Sequence, residues 1–220
     1  MSNLDSLETQ FLESLKTSPK EEQDKIITQI TNSIPNPNSS SRLALLRGLA
    51  LESNNNFNSA IEIYTQHSSQ LIDKRLLLNS KSIQSCLTYL ENYNDQSTWL
   101  FLSKLYLMDC CFEESMFCIE QVMLSSLNDP VLLTRFAELA YCDGKIGIAI
   151  KYFSAAVDLQ DDFVRAWFGL WTCCCAWLKV GKSENEELSK EIVVELKGLA
   201  KERLLVLYGE NAVIKNLFSS

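Results

Sequence analysis

PVLLTRFAELAYCDGKIGIAIKYFSAAVDLQDDF, residues 130–163, decides the fold. Its apolar residues recur at helical spacing on both sides of Gly144-Lys145-Ile146-Gly147, so it reads as two helices joined by a tight turn. The same pattern recurs along the chain. Trp99, Leu133 and Trp167 fall on one ruler with a 34-residue spacing. Three residues on come Leu102, Phe136 and Leu170. Sixteen residues on come Ser115 and Ala149, four further Ile119 and Phe153, and three more Val122 and Ala156.

Large, large, small, large, small at these offsets is the pattern of a tetratricopeptide helix pair. The large residues fill the seam between helices A and B, and the small ones sit where two backbones come close. One pair cannot bury its apolar face alone, so pairs stack. The expectation is an all-α fold, a tetratricopeptide-repeat superhelix (α-solenoid) of about eleven to thirteen helices without a sheet.

The rest of the chain is organised around these units. Leu4, Leu7, Phe11 and Leu15 make a first amphipathic helix. Ser18-Pro19 opens a second, with Ile26, Ile27, Ile30 and Ile34 on its apolar face. Residues 1–34 are therefore amino-terminal helices, and 35–41, rich in Pro, Ser and Asn, a linker. Repeats occupy 42–182. The first has Gly48 at the close-contact position of helix A, a turn at Asn54-Asn55-Asn56, and Ala60 and Tyr64 on helix B. Between 70 and 93 the ruler slips, and the pair there is abbreviated. Regular units follow at Gln96 to Met123, Pro130 to Leu159, and Val164 onward, with Asp161 or Asp162 as cap of the last A helix. Residues 183–220 read as carboxy-terminal capping helices. One spans Glu184 to Leu207, with Ile192, Val193, Leu196, Leu199 and Leu204 on its inner face, and stops at Gly209. Val213, Ile214, Leu217 and Phe218 form an apolar tail.

Composition excludes several classes. A net charge of −8 argues against a nucleic-acid surface and against adhesion to an anionic bilayer. The amino terminus lacks the basic and apolar regions of a signal peptide. The longest apolar stretch, Ala166 to Leu178, is too short to span a bilayer and reads as a buried helix. The eight cysteines lie within or at the ends of helical patterns, so they read as free thiols in a reducing compartment. There is no CxxC, and His67 is the only histidine, so no zinc ligand set is expected. The same scarcity of histidine removes most acid–base and nucleophile–base schemes. Glu113-Glu114 reads as charge complementing a helix start, and no catalytic residue or cofactor is expected.

In this motif the second, fifth, ninth, twelfth and thirteenth positions of helix A line the concave face. Fifth positions are Leu45, Leu100, Thr134 and Phe168; twelfth are Glu52, Leu107, Tyr141 and Cys175; thirteenth are Ser53, Met108, Cys142 and Ala176. Repeats that clamp a terminal carboxylate carry Lys, Asn and Arg there. This chain lacks that set, so the groove reads as substantially apolar, with Leu45, Leu100, Leu107, Met108, Tyr141 and Phe168 as its partner-binding residues. An apolar groove is a liability in water. Either a partner segment fills it or the superhelix closes on itself.

Phe117-Cys118-Ile119-Glu120-Gln121-Val122-Met123, Phe136-Ala137-Glu138-Leu139-Ala140-Tyr141, Lys151-Tyr152-Phe153-Ser154-Ala155-Ala156-Val157-Asp158-Leu159 and Arg165-Ala166-Trp167-Phe168-Gly169-Leu170 follow one another. In that order and spacing they resemble the subunit 2 family of the endoplasmic reticulum membrane protein complex. The resemblance covers roughly residues 41 to 178. It implies a non-catalytic scaffold, peripheral on the cytoplasmic face of the endoplasmic reticulum membrane. The implied complex is a hetero-oligomer that inserts tail anchors and helices of multispanning proteins. The implied partners are cytosolic segments of its membrane-embedded subunits and a second soluble subunit. The chain departs from the family in its short amino-terminal part, the abbreviated pair at 70–93 and the segment after Val180. The rival readings are a general repeat adaptor in another cytosolic assembly, and a repeat domain with an enzymatic role that the missing histidines disfavour.

Overall fold

A computed structural model describes residues 3–17, 20–126, 128–180 and 188–209. Among them every regular element is helical. There are twelve α-helices: α1 (Asn3–Thr17), α2 (Lys20–Ser33), α3 (Ser41–Ser53), α4 (Phe57–Thr65), α5 (Gln70–Ser80), α6 (Ile83–Asn92), α7 (Gln96–Met108), α8 (Phe112–Met123), α9 (Pro130–Cys142), α10 (Ile146–Leu159), α11 (Val164–Val180) and α12 (Lys190–Tyr208). The chain divides into two compact units, Met1–Asn94 and Asp95–Ser220.

The first unit holds α1 to α6. Phe11 from α1, Ile30 from α2 and Leu43 and Leu46 from α3 share one apolar core. The stretch read as a linker, 35–41, contains a 3₁₀ turn at Pro37–Ser39 and joins helices of this one unit. Arg42 on α3 reaches back to Asp5 and Glu8 on α1. Gly48 is required where α3 meets α4, because a Cβ there would lie 2.1 Å from the Tyr64 ring. The abbreviated pair is α5 and α6, of 11 and 10 residues.

The second unit stacks α7/α8, α9/α10 and α11/α12 around a continuous core. Ala149, Phe153, Ala156, Trp167 and Leu170 are buried in that core, and Leu102 is buried on α7, as the ruler requires. The small position at Ser115 is also buried. Its hydroxyl donates to the Ser103 carbonyl of α7 at 2.9 Å, which satisfies a polar group at the helix crossing. Trp99 is only half-buried and meets Phe117 edge-on, with ring centroids 6.0 Å apart. Gly169 of α11 sits against the Phe153 ring, 2.3 Å from where a Cβ would be.

The turns repeat as well as the helices. Asn55, Cys110 and Gly144 all adopt a left-handed conformation, with φ of 59°, 58° and 81°. The next amide donates back to a helix A carbonyl: Asn56 to Leu51, Cys111 to Tyr106 and Lys145 to Ala140, each at 2.9 Å. This backbone closure ends helix A and aims helix B antiparallel to it. Only the third turn uses glycine. Cys110 holds the same shape at a cost of about 1–2 kcal/mol, and Asn55 at less, because asparagine visits the left-handed region readily.

Two expectations are corrected. Neither Asp161 nor Asp162 caps α11: Arg203 engages the Asp161 carboxylate, and the Gln160 amide donates to Asp162. On α12 the buried residues are Val193, Ala200 and Leu204, while Ile192 and Leu199 are exposed. Val193, Leu196, Ala200 and Leu204 share one helical face, which turns Ile192 and Leu199 outward. Gly209, with φ 62°, ends α12 as expected. Ser18-Pro19, residues 184–187 and the tail at Val213, Ile214, Leu217 and Phe218 lie outside the described residues.

Ala149 and Ala156 are both fully buried. Ala156→Leu adds three carbons to a closed seam and lowers stability by roughly 1–3 kcal/mol. Urea denaturation checks this, and a variant as stable as the parent would contradict the register.

Candidate partner-binding groove

Helices α7, α9 and α11 are the A helices of the second unit. Their first residues, Gln96, Pro130 and Val164, are 34 apart, so equal positions lie side by side across the stack. Two depressions open on this face. The smaller, about 330 Å³, is lined by Leu100, Lys104 and Leu107 of α7, Arg135, Glu138 and Cys142 of α9, and Arg165 of α11. The larger, about 770 Å³, is lined by Tyr141 of α9, Phe163 beside α11, Phe168 and Thr172 of α11, and Tyr208 of α12. Glu138, Cys142 and Arg165 border both.

Arg165 and Glu138 form a two-point ion pair, each nitrogen–oxygen distance 2.6 Å. The planar guanidinium matches the carboxylate edge to edge. Glu138, by accepting these bonds, raises the Arg165 pKa above its ordinary value, and burial opposes the shift. The pair stands between the two depressions. The larger is walled mainly by aromatic and aliphatic carbon, the smaller by apolar residues and three cations.

The structure brings together four of the six residues expected to line the groove. Leu100 and Leu107 line the smaller depression, and Tyr141 and Phe168 the larger. Met108 borders neither and is 79% exposed. Leu45 belongs to the first unit, where it packs against the Ala44, Ala60, Tyr64 and Ile72 cluster. Thr134, also at a fifth position, is fully buried.

The two depressions are walled mainly by carbon, and they also carry charges that the expectation of a substantially apolar groove left out. Lys104 and Glu138 are ninth positions and Arg165 is a second position. Those two positions point inward in this motif, so the same counting finds the charges when they are read. Arg135 lies one residue beyond a fifth position and is not marked by the count.

All eight cysteines are free. Burial pushes the thiol of Cys86 up to about 11 and those of Cys173 and Cys174 to about 12. Cys110 and Cys142 are exposed. Iodoacetamide at pH 8 should modify Cys110 and Cys142 first in the native protein, and Cys86, Cys118, Cys173 and Cys174 only after denaturation. Peptide mapping over time reads the order, and early loss of Cys173 or Cys174 would contradict the core. Among the described residues no group of three or more His, Cys, Asp or Glu is placed to hold a metal ion. No helix among them is long and apolar enough to cross a membrane.

No family model matches the chain. It is 29% identical over 148 residues to ER membrane protein complex subunit 2-B of Xenopus laevis, covering 60% of this chain and 50% of that protein. It is 26% identical over 171 residues to TPR repeat protein oca3 of Schizosaccharomyces pombe, covering 70% of this chain and 61% of that protein. The chain thus spans about half the length of the Xenopus relative it matches. Among solved structures, the C-terminal part of a TPR repeat-containing protein from Cytophaga hutchinsonii matches with a TM-score of 0.61 at 10% identity, covering 94% of this chain and 98% of that one. That likeness shows the fold alone. The resemblance read from residues 41–178 therefore holds: the chain has an all-α tetratricopeptide-repeat fold and is similar to subunit 2 of the ER membrane protein complex.

Proposed function

We propose that this chain is a non-catalytic scaffold subunit of the endoplasmic reticulum membrane protein complex, bound peripherally at the cytoplasmic face. It supports insertion of transmembrane helices, both tail anchors and helices of multispanning proteins, by cradling a cytosolic segment of a membrane-embedded subunit. A second soluble subunit is a further partner of this hetero-oligomer. The observation that carries the reading is the open face of α7, α9 and α11, where Leu107, Tyr141 and Phe168 are 37–44% exposed in two adjoining depressions. Large apolar side chains held open on one face are the mark of an interaction site. The similarity to subunit 2 supplies the identity of the complex.

Affinity purification of the tagged chain from detergent-solubilised endoplasmic reticulum membranes tests this. Stable recovery of membrane-embedded subunits is expected. Recovery of a wholly soluble assembly instead would favour the general adaptor.

A further inference from the structure

The chain carries 28 acidic and 20 basic residues, yet the smaller depression gathers Lys104, Arg135 and Arg165 against one carboxylate, Glu138. Glu138 is taken up by Arg165 in the two-point pair. Among the described residues neither Lys104 nor Arg135 has an ion-pair partner. Two cations that pair with no described carboxylate therefore flank Leu100 and Leu107. An apolar side chain docking there would displace water from both and leave them poorly solvated unless it brought negative charge with it. The larger depression lies directly beyond the Arg165–Glu138 pair and presents Tyr141, Phe168 and Tyr208.

We propose that the groove of the second unit takes an acidic and apolar peptide segment of a partner protein. Its carboxylates sit over Lys104 and Arg135, and its apolar side chains fill the larger depression beside Phe168. This rests on the groove-binding reading above and specifies the partner's chemistry. Charge sets the register of the segment, because reversing it would place a carboxylate among the aromatic rings and leave the two cations facing carbon.

Two measurements on the full-length chain in its native membranes test it. In the first, Leu107 or Phe168 is replaced by the photo-crosslinker p-benzoylphenylalanine, and the crosslinked peptides are sequenced by mass spectrometry. Both positions should capture one segment rich in Leu, Ile or Phe and net negative, with its acidic residues nearer the position-107 crosslink. A basic or uncharged segment, a second copy of this chain, this chain's own residues 210–220, or no crosslink at either position would overturn the proposal. In the second, Lys104→Glu/Arg135→Glu should weaken recovery of the partner about tenfold, while Lys104→Arg/Arg135→Lys retains it. Raising salt to 0.5 M should narrow the gap between the two variants. Equal recovery of the two would overturn the proposal, and matched thermal melts exclude misfolding as the cause. The two readings fail separately. A basic segment of a membrane subunit would remove the charge inference and leave the scaffold. An acidic, apolar segment of a soluble protein, with no membrane subunit recovered, would do the reverse.

Discussion

Trp167→Ala should destabilise the second unit by about 3–5 kcal/mol, while Trp99→Ala should cost only about 1–2 kcal/mol. The two residues stand on the same ruler, and a repeat rule alone would rank them equal. Their surroundings differ. Trp167 is 4% exposed, lies in the core with Leu170 and Cys174, and donates its indole N–H to the Asp161 carbonyl at 2.7 Å. Truncation leaves a cavity under α11 and an unpaired carbonyl beside it. Trp99 stands on the first helix of its unit and packs on Phe117, itself 53% exposed, so less contact is lost. Urea denaturation of the two variants reads the difference. Equal losses would contradict the burial described for the stack.

That contrast marks what could be read from the chain. The ruler is a covalent period, and wherever helices are stacked on both sides it fixes burial: Ala149, Phe153, Ala156 and Leu170 all lie in the core. At the edges of a unit it loses force. Trp99 is only partly buried, and α12 follows no repeat, so the ruler does not mark which of its residues turn inward. The asparagine turn was legible through its residue type. The matching turn at Cys110 was not, because cysteine gives no local hint of a left-handed backbone.

The site was legible in part for a related reason. Leu100, Leu107, Tyr141 and Phe168 come from counting along helix A, and the structure places them in the two depressions. Met108 fails because α7 ends there and its side chain turns to solvent. Thr134 fails because a small side chain at a fifth position is covered by its neighbours, and Leu45 because its unit packs that position inward. The charges at Lys104, Glu138 and Arg165 were available at the second and ninth positions. Their pairing is a contact between α9 and α11 that no single helix reveals.

Leu107→Glu/Phe168→Glu puts one carboxylate in each depression, where a bound segment would bury it. A carboxylate at 168 would be buried without a partner against aromatic carbon, at a cost of several kcal/mol, and one at 107 would take up Lys104 and Arg135 and repel an acidic segment, so association should fall by about 100-fold or more. Both residues are more than two-fifths exposed in the chain alone, so the fold should tolerate the change. Met108→Glu, on the same helix but outside both depressions, should change association by no more than about twofold. The decisive measurement is recovery of membrane-embedded partner subunits by the tagged double variant, beside Met108→Glu and the parent, after matched circular dichroism and melting. The parent and Met108→Glu should retain the partners and the double variant should lose them. A well-folded double variant that still recovers them in full would contradict it.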